Sequence, residues 1–187
     1  MASSSMGFMQ EIEAKILEID RKKIEKTLTD LGAEKIFDGD INTIFFDFED
    51  GRIVKAKDVL RLRKEEDKVE LTYKKVRFTQ SAKTAEEYSV DVSNLETVKI
   101  ILENLGLSVR DNMEKHRVSY VIDHVRFDID RYSGSYAYIP EFMEIEADPD
   151  SIQKYAELLG FKKEDCLPWS TVELIKHYSR SESKDGN

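Results

Sequence analysis

Residues 8–19 read FMQEIEAKILEI, and their alternation decides the fold. Glu11, Glu13 and Lys15 fall on one side of an extended chain and Ile12 and Ile16 on the other, which is the two-residue period of a half-buried β-strand. The same alternation returns at 43–48 (TIFFDF), 58–64 (DVLRLRK), 68–75 (KVELTYKK), 86–92, 115–122, 125–131 and 141–147. Eight strands are therefore predicted. Gly51 and the EEDK stretch at 65–68 supply breaks, and Asp123–His124 suits a tight hairpin.

Helices are fewer. The spacing of Ile24, Leu28 and Leu31 predicts a helix over 20–31, capped by Asp20 and stopped by Gly32. Similar patterns predict 94–105 between Ser93 and Gly106, 150–159 ending at Gly160, and 170–179 capped by Ser170. Three times an acidic strand leads into a helix that ends in Leu-Gly: Glu11/Glu13 to Gly32, Glu87 to Gly106, and Glu144/Glu146 to Gly160. Repeated strand–helix units and a merely common helix stop are equal readings of this pattern.

The charges on the strands carry the functional signal. Glu11/Glu13, Glu144/Glu146, Arg61/Arg63 and Lys115/Arg117 are same-sign pairs at i and i+2, and Arg126, Asp128 and Asp130 share one face. Such neighbours lie about 6–7 Å apart on one side of a strand. They repel unless opposite charge lies across from them. A closed, charge-lined antiparallel β-barrel with a few flanking helices, an α+β fold, resolves the conflict by setting acidic pairs opposite basic ones. Glu11, Glu13, Lys15, Arg61, Arg63, Lys74, Lys115, Arg117, Glu144 and Glu146 are then expected in its lumen. Carboxylate pairs are hard oxygen ligands for Mg²⁺ or Mn²⁺, and Arg and Lys pairs suit phosphate oxygens. Together they suit a polyphosphate–metal complex. Solvent-facing charge on a sandwich explains any single pair well, but not five such groups on five strands.

Composition narrows the classes. The 187 residues fit one domain, expected over 8–180 between a disordered leader at 1–7 and a disordered tail at 181–187. A net charge of −9 argues against a general nucleic-acid or anionic-membrane surface. No apolar run approaches the roughly 20 residues of a membrane span. MASSSMG lacks the basic and apolar regions of a signal peptide. A single cysteine, Cys166, permits no internal disulfide, which fits a reducing cytoplasm. A monomer or homodimer is expected. No GxxxxGK[ST] loop is present, which excludes a P-loop nucleotidase. His116, His124 and His177 read as surface residues.

The chain resembles the CYTH superfamily, the triphosphate tunnel metalloenzymes. The resemblance rests on E-x-E-x-K at Glu11, Glu13 and Lys15, LRLRKE at 60–65, LTYKK at 71–75, AKTAEEYSV at 82–90, EKHR at 114–117, FDID at 127–130 and IPEFMEIEA at 139–147. Within the superfamily it looks most like the class IV adenylate cyclase branch, beside which stand the thiamine and inorganic triphosphatases. The resemblance implies a metal-dependent enzyme whose Glu11, Glu13, Glu144 and Glu146, with Glu87 and Asp128 or Asp130, hold one or two metal ions. Lys15, Arg61, Arg63, Lys74, Lys115 and Arg117 would clamp a small-molecule triphosphate. Glu13 and Lys15 are the candidate catalytic residues. Lys15 is a base only if its pKa is depressed and is otherwise a phosphate ligand.

Hydrolysis of the triphosphate is preferred, because it needs only the clamp and a water. Cyclisation of ATP to cyclic AMP and pyrophosphate is the alternative, and a non-catalytic polyphosphate-binding module a third. Where the family commonly has Arg-x-Glu-x-Glu, this chain has Ala85, Glu87 and Ser89, and Pro140 precedes the last strand. A Glu13→Gln or Glu144→Gln change is expected to leave the fold intact, and even to relieve repulsion within its pair.

Overall fold

The computed structural model describes residues 12–78 and 83–182. Eight strands are present: β1 (Glu13–Ile16), β2 (Glu34–Phe48), β3 (Val59–Glu65), β4 (Lys68–Phe78), β5 (Lys83–Val92), β6 (Leu107–Ile122), β7 (Val125–Tyr132) and β8 (Phe142–Glu146). The helices are α1 (Arg21–Asp30), α2 (Arg52–Lys55), α3 (Leu95–Asn104), α4 (Pro149–Leu158) and α5 (Thr171–Glu182). None of them is long and apolar enough to cross a membrane.

The strands form one antiparallel sheet in the order β1-β8-β7-β6-β2-β3-β4-β5. The expected barrel is not formed. Among the described residues the sheet is open, with β1 and β5 at its edges and no ladder between them. A local reason is visible at β1, which is only four residues long. Its outer edge is taken by the main chain at Leu167: Lys15 N donates to Leu167 O at 2.8 Å and Leu167 N to Lys15 O at 2.9 Å. Those backbone groups are the ones a ladder to another strand would use.

Other departures follow from local signals that mislead. β2 begins at Glu34 rather than 43, running straight through Gly39–Asp40, and β6 begins at Leu107 rather than 115. The extension of β6 pairs with the predicted part of β2, from Phe48↔Leu107 to Thr43↔Met113, and that of β2 with the predicted part of β6, from Ile41↔Lys115 to Glu34↔Val121, so tertiary pairing overrides weak local alternation. The short helix α2 has no periodic signal. It is held by Asp47, whose carboxylate is buried yet accepts from the backbone N–H groups of Phe48, Ile53 and Val54. For α3 the cap is Asn94, not Ser93, accepting from Thr97 N at 2.8 Å. Asp20 does cap α1.

The Leu-Gly stops work as expected. Gly32 and Gly160 have φ of 85° and 91°, in the left-handed region that other residues enter at a cost. Each is followed by a backbone bond back into its helix, Ala33 N to Leu28 O and Phe161 N to Ala156 O, both 2.9 Å. Asp123–His124 is indeed the β6–β7 turn, between the paired Ile122 and Val125.

Burial separates the two faces of the sheet. On one, α1 and α4 cover Ala14, Ile16, Val118, Phe127, Ile129, Met143 and Ile145, while α2 and α3 cover Ile44, Phe46, Leu62 and Val69. Each Val, Leu, Ile, Phe or Met among them, taken fully out of water, stabilises the fold by about 1.5–3 kcal/mol. The other face carries the charges. One end of it is closed by α5, whose Leu174 and Tyr178 cluster with Met113, Tyr132 and Phe142.

Candidate active site

Register places the predicted residues. Residues opposite one another in an antiparallel pair share a face. Glu13 lies opposite Glu146 and Lys15 opposite Glu144. Glu146 lies opposite Arg126, and Glu144 opposite Asp128. Arg117 faces Asp130 across one ladder, and across the other β6 residues lead through β2 to Arg63 (Met113↔Thr43, Thr43↔Arg63). Arg61 faces Thr72, and Lys74 faces Glu87. Every predicted site residue described therefore stands on the one charged face; Glu11 lies outside the described residues. Alternation was the correct guide to the face, although no lumen encloses it.

Side-chain contacts divide this face into two networks. The first is centred on Arg117, 7% exposed. Its guanidinium donates to Asp130 twice (Nε–Oδ1 2.6 Å, Nη2–Oδ2 2.5 Å), to Glu144 Oε2 at 2.6 Å, and to Asp128 Oδ2. Lys115 Nζ reaches Asp130 Oδ2 at 2.6 Å. Lys15, 1% exposed, lies 2.8 Å from both Glu13 Oε1 and Glu144 Oε1. At the rim, Arg126 Nε donates to Asp128 at 2.8 Å and approaches Glu146 to 4.0 Å.

The second network is looser. Glu87 accepts from Arg61 at 3.3 Å and lies 3.4 Å from Lys74. Arg63 pairs with Glu65 at 2.7 Å. Thr72 Oγ1 donates to Glu70 at 3.0 Å and lies 3.0 Å from Ser89 Oγ, so Ser89 belongs to a hydroxyl pair. The Nε–H groups of Arg61 and Arg63 are both out of solvent and donate to nothing among the described residues.

Protonation follows these surroundings. Burial opposes charge on Lys15, but Glu144 and Glu13 outweigh it and raise its pKa, the opposite of what a general base needs. Lys15 is thus held as an ammonium. Burial likewise opposes ionisation of Asp130, yet Lys115 and Arg117 bring it down to about 2. Glu144 is lowered too: burial acts against its charge, and Lys115, Arg117 and Lys15 prevail. For Arg117 burial is outweighed by Asp130, Asp128 and Glu144, and its pKa rises. Arg63 goes the other way: burial lowers it, and the Arg117 and Arg61 charges lower it further despite Glu65. Here cations stand together with too little negative charge between them.

A profile of the CYTH domain matches residues 9–165. The chain belongs to the CYTH domain family. A Methanocaldococcus jannaschii protein, provisionally named an adenylate cyclase, is 26% identical over 151 residues, covering 81% of this chain and 84% of its own length. Among solved structures, a Pyrococcus horikoshii OT3 protein aligns at a TM-score of 0.69 and 25% identity, over 89% of this chain and 99% of that one. A Hippeastrum protein, provisionally named an adenylyl cyclase and described as having a dominant triphosphatase activity, aligns at 0.63 and 16% identity, over 90% and 96% of the two chains. At that identity the likeness concerns the fold alone.

In this CYTH chain Glu13, Glu144 and Glu146 form a corner of hard oxygen donors at β1 and β8, with Asp128 beside Glu144 and Asp130 one pair further along. Among the described residues no three His, Cys, Asp or Glu side chains are already gathered as a metal cluster, because cations of the chain stand between them. Glu87 is with the second network rather than in this corner. Sequence reasoning had not singled out Glu65 or Arg126 as site residues. Glu65 was read as the start of a turn, and it is the last residue of β3. Arg126 had its face right, but its contact with Glu146 needs the β7–β8 pairing. The histidines lie elsewhere: His116, on the opposite face, sits 2.9 Å from Asp40 and 3.0 Å from Asp38, His124 is at the surface near Asp148, and His177 packs on Trp169 and Tyr178.

Proposed function

We propose that this protein is a metal-dependent enzyme that hydrolyses a triphosphate, inorganic or organic. The observation that carries the reading is the cation group of Arg61 and Arg63, with unused buried Nε–H groups and an Arg63 pKa lowered first by burial and then by the neighbouring Arg117 and Arg61 charges. Such a group gains a counter-charge and hydrogen-bond acceptors together when phosphate oxygens enter. Membership of the CYTH family supports the coarser part of this reading, an enzyme that acts on a triphosphate.

In this reading Arg61, Arg63 and Lys74 hold one part of the phosphate chain, and Lys15, Lys115 and Arg117 the other. Their spread over β1, β3, β4 and β6 suits several linked phosphates better than one. Glu13, Glu144 and Glu146, with Asp128 and Asp130 beside them, would hold Mg²⁺ or Mn²⁺. That ion, when bound, neutralises phosphate charge and polarises the bond to be broken. The chain itself contributes positioning and fixed positive charge, which is most of what phosphoryl transfer asks of a protein. Lys15 contributes as an ammonium, not as a base.

Cyclisation of ATP is the second reading, favoured by the name of the M. jannaschii relative. A panel of tripolyphosphate, thiamine triphosphate and ATP with Mg²⁺ or Mn²⁺, following phosphate, pyrophosphate and cyclic AMP, separates the two. Orthophosphate from at least one triphosphate is expected, with diphosphates much poorer. Cyclic AMP and pyrophosphate accumulating over background phosphate would replace hydrolysis by cyclisation, and no turnover of any compound would leave a binding module. An Arg63→Met change should cost less than about 1 kcal/mol of stability, because it relieves repulsion, yet weaken triphosphate turnover roughly 100-fold. Denaturant midpoints and kcat/KM check the two halves of that expectation.

A further inference from the structure

We propose that divalent metal and triphosphate bind this protein with strong mutual cooperativity, through an exchange of partners within the Arg117–Lys15 network. The proposal rests on the triphosphate reading above and concerns the thermodynamics of the same site. Lys15 and Arg117 are 1% and 7% exposed, and their carboxylate partners Asp128, Asp130 and Glu144 are 1%, 0% and 8% exposed. Each buried charge in this set has its opposite within hydrogen-bond distance.

A cation drawing Glu144 and Glu13 to itself takes them from Lys15 and Arg117, and leaves buried positive charge without compensation. Phosphate oxygens taking Lys15, Lys115 and Arg117 leave three buried carboxylates in the same condition. Either half-step strands ions in a low-dielectric region, where the loss is largest. When both arrive together, the cations turn to phosphate and the carboxylates to metal, and every charge keeps a partner. Arg61 and Arg63 impose a weaker condition, since their unused Nε–H groups can take phosphate oxygens while their Nη2 groups keep Glu87 and Glu65. The second network therefore offers triphosphate a weak, metal-independent foothold, and the coupling resides in the first. By linkage the coupling is reciprocal: each ligand raises affinity for the other by the same factor.

Titration calorimetry with an imido-bridged, non-hydrolysable tripolyphosphate analogue, with and without saturating Mg²⁺, tests this. The analogue should bind about 100-fold more tightly with Mg²⁺, and Mg²⁺ alone should bind correspondingly weakly. Glu144→Gln removes the carboxylate shared by Lys15 and Arg117, so metal-free binding should improve and the coupling fall below about 10-fold. Complexation of Mg²⁺ by the analogue in solution is the same for both proteins and cancels in the comparison. Should that variant fail to fold, the more exposed Glu13→Gln should reduce the coupling in the same direction. Binding within about 3-fold with and without Mg²⁺, or full coupling retained in a folded Glu144→Gln, overturns the proposal and leaves the triphosphate reading standing. No binding to the parent protein under either condition overturns both.

Discussion

An Arg117→Gln variant is expected to lose about 3–5 kcal/mol of folding stability, the range for removing one partner of a buried ion pair. With a total of about 5–15 kcal/mol in an ordinary domain, this brings the protein close to unfolding. The cause lies less in the bonds lost than in the groups left behind: Asp128, Asp130 and Glu144 are almost fully buried, and their partners are this guanidinium and its neighbours Lys15, Lys115 and Arg126. Arg117→Lys should recover only part of the loss, because one ammonium cannot reproduce a fork that serves three carboxylates.

The acid limb provides an independent readout. Asp130 is held at about 2, below its unfolded value near 4. Its contribution is therefore fully present above about pH 4 and disappears as pH falls toward 2. With Arg117 removed, Lys115 alone opposes burial and the carboxyl rises, so the variant should lose stability at a higher pH than the parent. Urea unfolding followed by circular dichroism at pH 7 and pH 3 measures both effects. A loss under about 1 kcal/mol at pH 7 would show that the network contributes little.

Glu144→Gln should lower kcat with Mg²⁺ by about 10²–10³, comparable to removing one preorganised electrostatic group from an active site. It is also expected to destabilise the fold, by about 1.5–3 kcal/mol. That sign reverses the expectation from the isolated E-x-E pair, in which losing one carboxylate relieves repulsion. In the folded protein Glu144 stands between two cations, 2.8 Å from Lys15 and 2.6 Å from Arg117, and its pKa is lowered. Attraction outweighs the repulsion from Asp130. Steady-state kinetics and a denaturation midpoint on one preparation check both; activity near that of the parent would remove Glu144 from the site.

Period-two alternation is a local property, visible in any five consecutive residues, and so the strands and the shared face of Glu13, Lys15, Arg61, Arg63, Lys74, Lys115, Arg117, Glu144 and Glu146 were legible in the sequence. So were the Leu-Gly helix stops, which depend on one residue's backbone freedom, and the family, whose motifs are short strings on single strands. Strand order was not legible. The sequence offered no signal that Leu167 would occupy the outer edge of β1, and the inference of a closed barrel failed for that reason. Nor could it show which cation meets which carboxylate. Lys15 meets Glu144, and Arg117 meets Asp128, Asp130 and Glu144, through pairings between residues far apart in the chain. Local patterning determined the kind of charge presented on the sheet; long-range register alone decided its partners, because neutralisation at 2.5–3 Å depends on which strands lie side by side.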